Sequence, residues 1–534
     1  MSIIDSILGF AGRHPALEGP LKLMNRQIIN HFAHAVAPRP RAFSLWSPVL
    51  APDPGQLDYI TDYTSWPGLT NKRFSGRHLP PADGAYTRAL PVDLPYPYTD
   101  PKAQVGSVTR LFERAGPMKK SRSSLLFMFF AQWFTDSILR INPLDRRTNR
   151  SNHDIDLCQI YGLREEICRL LRSNAGGRLR SQQLNGEEYP EYLCEPAPGG
   201  GFAVKKDFVD LEANVVGLQN ILADGFLGLN PDRRERLYAT GLERGNSSIG
   251  YVAISIIFLR EHNRIAGVLA KENPRWNDER IFQTARNINI VLLMKLVVED
   301  YINHIVGHHV FRLDHEFAEE QSWYRANWIA LEFDLLYRWH GLAPDSIEIN
   351  NGGVAPRDFR NNNALLEQVG VGALIDSASR QPAGRVGLSN TPRYVLGAEY
   401  QSIKMSRDFR VRPYNDYCEL FGLPRRTSFA ELTSDTSLQA TLAGLYGTID
   451  RLEFVVGLFA EEPEEGLLFG DLLNRMVAYD AFTQIFSNPL LSKNVYNSAT
   501  FTDHGLQLIE ETTSIEVLVN RNVQTPVRAS LGVL

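Results

Sequence analysis

Nine residues in the second half of the chain carry its most reactive spacing: Glu332-Phe333-Asp334-Leu335-Leu336-Tyr337-Arg338-Trp339-His340. Tyr337 and His340 are three apart, so on a helix they share a face. An imidazole at a helix end can offer a neutral nitrogen to a metal, iron included. A phenol one turn away could exchange an electron with a redox centre held there. Taken alone the spacing is weak, because a histidine beside a tyrosine and a tryptophan is ordinarily a packed core histidine. Other chemistry is poorly supplied. Gly199-Gly200-Gly201 is not closely followed by a helix start, so it reads as a loop rather than a phosphate cradle. Cys158, Cys168, Cys194 and Cys418 have neither zinc-clip spacing nor the density of a disulfide framework. They read as free thiols of a reducing compartment.

The elements that must position these residues read as mainly α, one large helical body with few short strands and no internal repeat. Residues 322–340 are expected as one helix that Gly341 stops and Pro344 keeps from resuming. Trp276-Asn277-Asp278-Glu279 reads as a helix start: Asn277 can cap, and the two acids complement the N-terminal dipole. That helix is expected to run through Asp300. The most apolar stretch, 288–306, is interrupted by Lys295, Glu299 and Asp300, and 125–134 is too short to span a bilayer. Both read as buried helices. Residues 1–35 place Ile3, Ile4, Ile7 and Leu8, then Leu21, Leu23, Met24 and Ile28, at helical spacing. Packing onto the body is the plain reading of that segment, and a peripheral membrane contact the sharper one. Residues 36–105 are rich in proline and aromatics and read as loops and turns. The helical body is 106–534.

With 534 residues, 43% hydrophobic and 22% charged, the chain can bury a large core and an apolar cofactor within it. A net charge of -5 and scattered Lys and Arg give no basic stripe, so no nucleic-acid partner is expected. The first twenty residues lack the basic and apolar regions of a secretory signal. A cytoplasmic or peripheral-membrane location is expected.

Several segments, in order, resemble the cyclooxygenase (prostaglandin endoperoxide synthase) and fatty acid dioxygenase branch of the animal-type haem peroxidase superfamily. They are Asp62-Tyr63-Thr64-Ser65-Trp66, His78-Leu79-Pro80-Pro81, Phe129-Phe130-Ala131-Gln132-Trp133-Phe134-Thr135, His153-Asp154-Ile155-Asp156-Leu157 and Leu259-Arg260-Glu261-His262-Asn263-Arg264. Phe282-Gln283-Thr284-Ala285-Arg286, Val298-Glu299-Asp300-Tyr301, the Tyr337 to His340 motif, Ala383-Gly384-Arg385-Val386 and Leu445-Tyr446-Gly447 complete the series. The resemblance covers roughly residues 35–520.

The resemblance implies haem b as cofactor, with His340 as the proximal ligand to the haem iron. It makes Tyr337 the site of a tyrosyl radical that abstracts hydrogen from an unsaturated fatty acid, to which dioxygen then adds. Gln132 falls on the distal-haem helix. Arg41 stands where relatives hold the substrate carboxylate, a task that suits a bidentate, permanently charged guanidinium. His308 falls near the family's channel-mouth tyrosine. Relatives are often dimers, which makes a homodimer an expectation.

Asp136 departs from the pattern. Relatives carry a distal histidine there, which relays a proton during peroxide cleavage and should titrate near neutrality. An ordinary aspartate titrates near ~3.9 and is a poor relay. Arg244 falls where mammalian peroxidases place a distal arginine, so an Asp136–Arg244 ion pair over the haem is expected. Ser247 replaces their ester-forming glutamate, so haem is expected without covalent links. Ala481 stands where cyclooxygenases carry their acetylated serine, and His153 is expected to make a structural hydrogen bond.

Three functions follow from these matches. The first is a haem-dependent fatty-acid oxygenase with weak or absent classical peroxidase activity. The second is rearrangement or cleavage of a preformed fatty-acid hydroperoxide, or oxidation of another lipophilic metabolite. The third is a haem-binding protein without turnover.

Overall fold

The computed structural model describes residues 15–34, 73, 75–94, 108–142, 146, 148–214, 231–350 and 352–534. Helix α1 (Pro15–Ala33) is amphipathic and lays Ile29 and Ala33, both fully buried, onto the body. Arg26 forms an ion pair with Asp314 at 2.6 Å, and Phe32 meets Phe482 at 6.2 Å between ring centroids. Residues 15–34 thus pack against the body. Arg41 and Asp62-Tyr63-Thr64-Ser65-Trp66 lie outside the described residues.

Helix α2 (Leu125–Thr135) is apolar on nearly every side, which only a fully enclosed helix tolerates. Ser124 caps it by accepting from the Phe127 amide at 3.2 Å, a bond worth about 1 kcal/mol. Eight of its residues are buried, among them Phe127, Phe129, Phe130, Trp133 and Phe134. At roughly 1.5–3 kcal/mol per large apolar side chain, this burial far outweighs the cap. Helix α3 (Ile249–Glu272) crosses α2 closely at Gly250, where an added Cβ would lie 2.2 Å from the Phe129 ring.

Helix α4 (Asp278–Leu296) begins as expected, with the Asn277 side chain accepting from the Arg280 amide at 2.9 Å. It widens into a π turn over Val297–Ile302 and closes with Asn303–Val306. By length and composition Asp278–Val306 could cross a membrane, but 78% of its apolar window is buried in the body. The buried-helix expectation is borne out.

The expectation of one helix over 322–340 is not. Helix α5 is only Leu331–Leu336, and a separate 3-10 turn spans His340–Leu342. Upstream, the backbone is drawn into pairing with a distant segment. The amide of Gly76 donates to Ile329 O at 2.9 Å, and that of Leu331 donates to Gly76 O at 2.7 Å. The Ile329 amide donates to His153 Nδ1 at 2.8 Å, which is the structural bond expected of that histidine. Those bonds replace the helical ones.

Helix α6 (Leu396–Asp408) and helix α7 (Asp471–Phe486) complete the frame of the site. Strands are short: the described residues form four two-stranded antiparallel sheets. One pairs β1 (Lys120–Ser124) with β2 (Pro382–Gly384), joining the start of α2 to the loop behind His340. Gly384 is required there, since a Cβ would sit 2.0 Å from Gly341 O. Asn390 Nδ2 then pins the loop, donating to Arg385 O at 2.7 Å and Lys119 O at 2.9 Å. All four cysteines are free, as expected, and all are buried.

The Leu259 to Arg264 motif forms a buried polar belt on α3. His262 contacts the Tyr161 hydroxyl through Nδ1 at 2.8 Å and Gly177 O through Nε2 at 2.9 Å. Gly177 O can only accept, so Nε2 carries the proton and Nδ1 accepts. Burial holds this imidazole down to about 3, against an ordinary value near ~6.5. A depressed folded value gives stability that is complete above ~6.5 and is lost as pH falls toward 3. The loss attributable to this group is on the order of 5 kcal/mol at most. Urea unfolding across that window should show a falling midpoint, and His262→Gln should be less stable at neutrality yet flatter. An identical slope in both proteins refutes the assignment.

Candidate active site

Between α2, α5 and the turn just before α6 the structure holds a cavity of about 290 Å³. Gln132 and Asp136 line it from α2 and its C-terminal cap, Tyr337 and His340 from the two ends of the Tyr337 to His340 turn. Arg244 also lines it. Five residues singled out from sequence thus meet around one space. His308 is not among its lining residues; it follows Gly307, which has φ 76° at the end of the Asn303–Val306 helix.

Although the expected single helix is absent, Tyr337 and His340 still face one cavity, because the chain turns between them. Tyr337 closes α5 with φ -93° and ψ 26°, and Trp339 precedes the next turn with φ -87° and ψ 42°. The Tyr337 ring stacks on Trp339 at 4.7 Å and lies 4.8 Å from Phe333. Trp339 in turn meets Phe469 at 4.5 Å. Burial, with the Asp480 carboxylate adding to it, pushes the Tyr337 phenol well above its ordinary value. The phenol therefore keeps its proton until an electron is withdrawn, and loss of both leaves a phenoxyl that can accept a hydrogen atom.

Asp136, which lines the same cavity from the end of α2, is 5% exposed and fully engaged. Arg140 Nη1 lies 3.2 Å from its Oδ1, the Tyr251 hydroxyl donates to its Oδ2 at 3.0 Å, and Arg244 Nη1 is 3.8 Å from Oδ1. Arg140 is also paired with Glu243. The expected Asp136–Arg244 pair is present but is the longer contact, with Arg244 still 61% exposed. Sequence reading missed Arg140 as the nearer partner, though its spacing of four from Asp136 on a helix end was the available signal. Cys158 Sγ donates to Asp136 O at 3.2 Å and holds the cap from behind.

The donor set fits a haem. Toward a metal the cavity offers one imidazole, as an axial ligand requires. Met128, Phe129, Leu139, Leu342 and Val395 supply apolar wall, and Arg244, Arg338 and Arg360 line the same space with cations suited to carboxylate side chains.

These features define a helical haem peroxidase architecture. The model of the animal haem peroxidase family matches residues 142–529, and the chain belongs to that family. It is a haem-dependent oxidoreductase of the peroxidase superfamily. It is 33% identical to prostaglandin G/H synthase 1 of Mus musculus over 487 residues, 89% of this chain and 75% of that protein. It is 32% identical to prostaglandin G/H synthase 2 of Equus caballus over 468 residues, 86% and 72% respectively. In fold it is similar to a variant of the fatty acid alpha-dioxygenase of Oryza sativa solved with palmitic acid. That match has TM-score 0.67 and 16% identity, over 100% of this chain and 97% of the other.

Proposed function

We propose that this chain is a haem-dependent oxygenase that adds dioxygen to an unsaturated fatty acid through a radical on Tyr337. The observation that carries the proposal is the convergence of Tyr337, His340, Gln132 and Asp136 on one cavity. The names of the relatives, prostaglandin G/H synthases and fatty acid alpha-dioxygenase, support the substrate class. His340 holds haem b, without covalent links, and the apolar wall and Arg338 and Arg360 receive the rest of the group. Haem, when bound, supplies the one-electron oxidant that draws an electron from the Tyr337 phenol.

The phenoxyl of Tyr337 takes a hydrogen atom from the fatty acid and becomes a phenol again. Dioxygen joins the carbon radical, and the resulting peroxyl radical takes back the phenol hydrogen. The sum is one C–H and one dioxygen converted to one hydroperoxide, with the tyrosyl radical restored. Arg41 is proposed to hold the substrate carboxylate and His308 to stand at the channel mouth. Peripheral membrane contact and a homodimer belong to the same proposal.

Dioxygen uptake by haemin-reconstituted protein tests this reading. Linoleate should be consumed with hydroperoxide formed at an allylic carbon. Uptake with palmitate instead would move the attack to the carbon next to the carboxylate, as the name alpha-dioxygenase describes for the plant relative. His340→Ala should lose the Soret band and all turnover, and a Soret band unchanged by that substitution refutes the assignment of the ligand.

A second reading rests on Asp136. A carboxylate held by Arg140 is poorly suited to relay a proton, which favours isomerisation or cleavage of a preformed fatty-acid hydroperoxide. Turnover of such a hydroperoxide under anaerobic conditions, without uptake of dioxygen in air, would select it.

A further inference from the structure

Behind His340, on the side away from the cavity, stands a carboxylate that nothing in the cyclooxygenase resemblance assigns. Glu399 sits in the first turn of α6 and is 1% exposed. Its Oε1 lies 3.1 Å from His340 Nδ1. Thr391 Oγ1 donates to the same oxygen at 2.9 Å and fixes the carboxylate's position. Glu399 Oε2 and His340 Nδ1 are both buried atoms without an aligned hydrogen-bond partner. Two buried, unmatched polar atoms of a facing pair are costly unless they serve each other. A small rotation of the imidazole would align its Nδ1–H with the carboxylate. The ring has that freedom, because its side chain is 24% exposed toward the cavity.

The geometry points to Glu399 as a positioning residue that accepts the Nδ1 proton of His340, holds Nε2 toward the cavity and makes the imidazole an electron-rich iron ligand. This rests on the assignment of His340 as the haem ligand. The physical consequence is specific. A carboxylate acceptor gives the imidazole anionic character, raising its basicity toward iron. Such a ligand stabilises the ferric state over the ferrous one and so lowers the reduction potential. It also assists O–O cleavage from the proximal side. That assistance has value in a cavity that also offers a carboxylate, Asp136, where relatives carry an imidazole. The neighbouring chain is built to hold the arrangement: α6 begins immediately after Val395, itself a cavity residue, and the Tyr394 hydroxyl donates to Pro344 O at 2.8 Å just beyond the His340 turn.

The test uses the full chain reconstituted with haemin, and its readouts do not depend on turnover. In Glu399→Gln the amide keeps the size of the side chain but removes its charge. The potential of the bound haem should rise, and the iron–histidine stretching band of the reduced protein should move to lower frequency. Haem should bind about 10–100-fold more weakly. Glu399→Asp keeps the charge but withdraws it, so it should fall between the two, and it serves as the readable variant if the glutamine protein does not fold. If both variants bind haem with the band and potential of the parent, Glu399 is a structural residue only and the inference is wrong. If the parent itself shows no Soret band that His340→Ala removes, the haem assignment fails, which is a different result.

Discussion

Tyr337→Phe is expected to abolish dioxygen uptake while leaving haem binding intact. The substitution removes one hydroxyl and keeps the ring that stacks on Trp339 at 4.7 Å and lies 4.8 Å from Phe333. The stability change should be at most about 1 kcal/mol, the scale of one hydrogen-bonding group. Phenylalanine, however, has no O–H to lose or regain, so the hydrogen-transfer cycle has no carrier. A fall on the order of 10³-fold or more is expected, equivalent to about 4 kcal/mol of barrier. The Soret band should be unchanged. Because burial and Asp480 keep the phenol protonated well above its ordinary range, the parent's rate should show no alkaline limb from ionisation of Tyr337. Full oxygenase activity in the phenylalanine protein would remove the radical mechanism and leave hydroperoxide rearrangement as the better reading.

Asp136→His is expected to have the opposite sign, a gain of peroxidase turnover. An imidazole at this place can accept a proton from peroxide and return it to the departing oxygen, a contribution of typically about 10²–10⁴-fold. The surroundings can accept the change. Arg140 retains its pair with Glu243, so no buried guanidinium is stranded, and the Tyr251 hydroxyl still finds an acceptor in the ring. The assay is reduction of a hydroperoxide with a one-electron aromatic donor, alongside Asp136→Asn, which should gain nothing. If the histidine protein binds haem normally and gains no turnover, Asp136 does not stand where the proton must move. A parent that already turns over as fast would show instead that the Asp136 carboxylate, held between Arg140 and Arg244, is a competent relay.

Much of the site was legible because its residues sit within short local motifs. Gln132 and Asp136 are one helical turn apart, and Tyr337 and His340 are three apart, and each pair falls within one motif of the family resemblance. Helix α4 was legible for the same reason: Asn277, Asp278 and Glu279 make a cap that needs no tertiary partner. The failure over 322–340 had a physical cause that no local pattern carries. Apolar residues at helical spacing were present, but the backbone near Ile329 bonds to Gly76 and His153, partners more than 170 positions away. Glu399 lay beyond reach of the sequence for the same reason. It is 59 residues from His340, and only the packing of α6 behind the proximal turn brings its carboxylate within 3.1 Å.

The amino-acid sequence by itself determined the mainly helical class, the haem peroxidase family and the two residue pairs that line the cavity. The class follows from side-chain periodicity, and the family and the pairs from the resemblance that ordered short motifs carry. Tertiary structure alone decided that Tyr337 and His340 meet through a broken helix, that Arg140 rather than Arg244 is the nearer partner of Asp136, and that a buried glutamate backs the proximal imidazole. Each depends on distances between side chains far apart in the chain or on competing partners at one carboxylate, and charge pairing in a dry interior is settled by distance and geometry rather than by residue type.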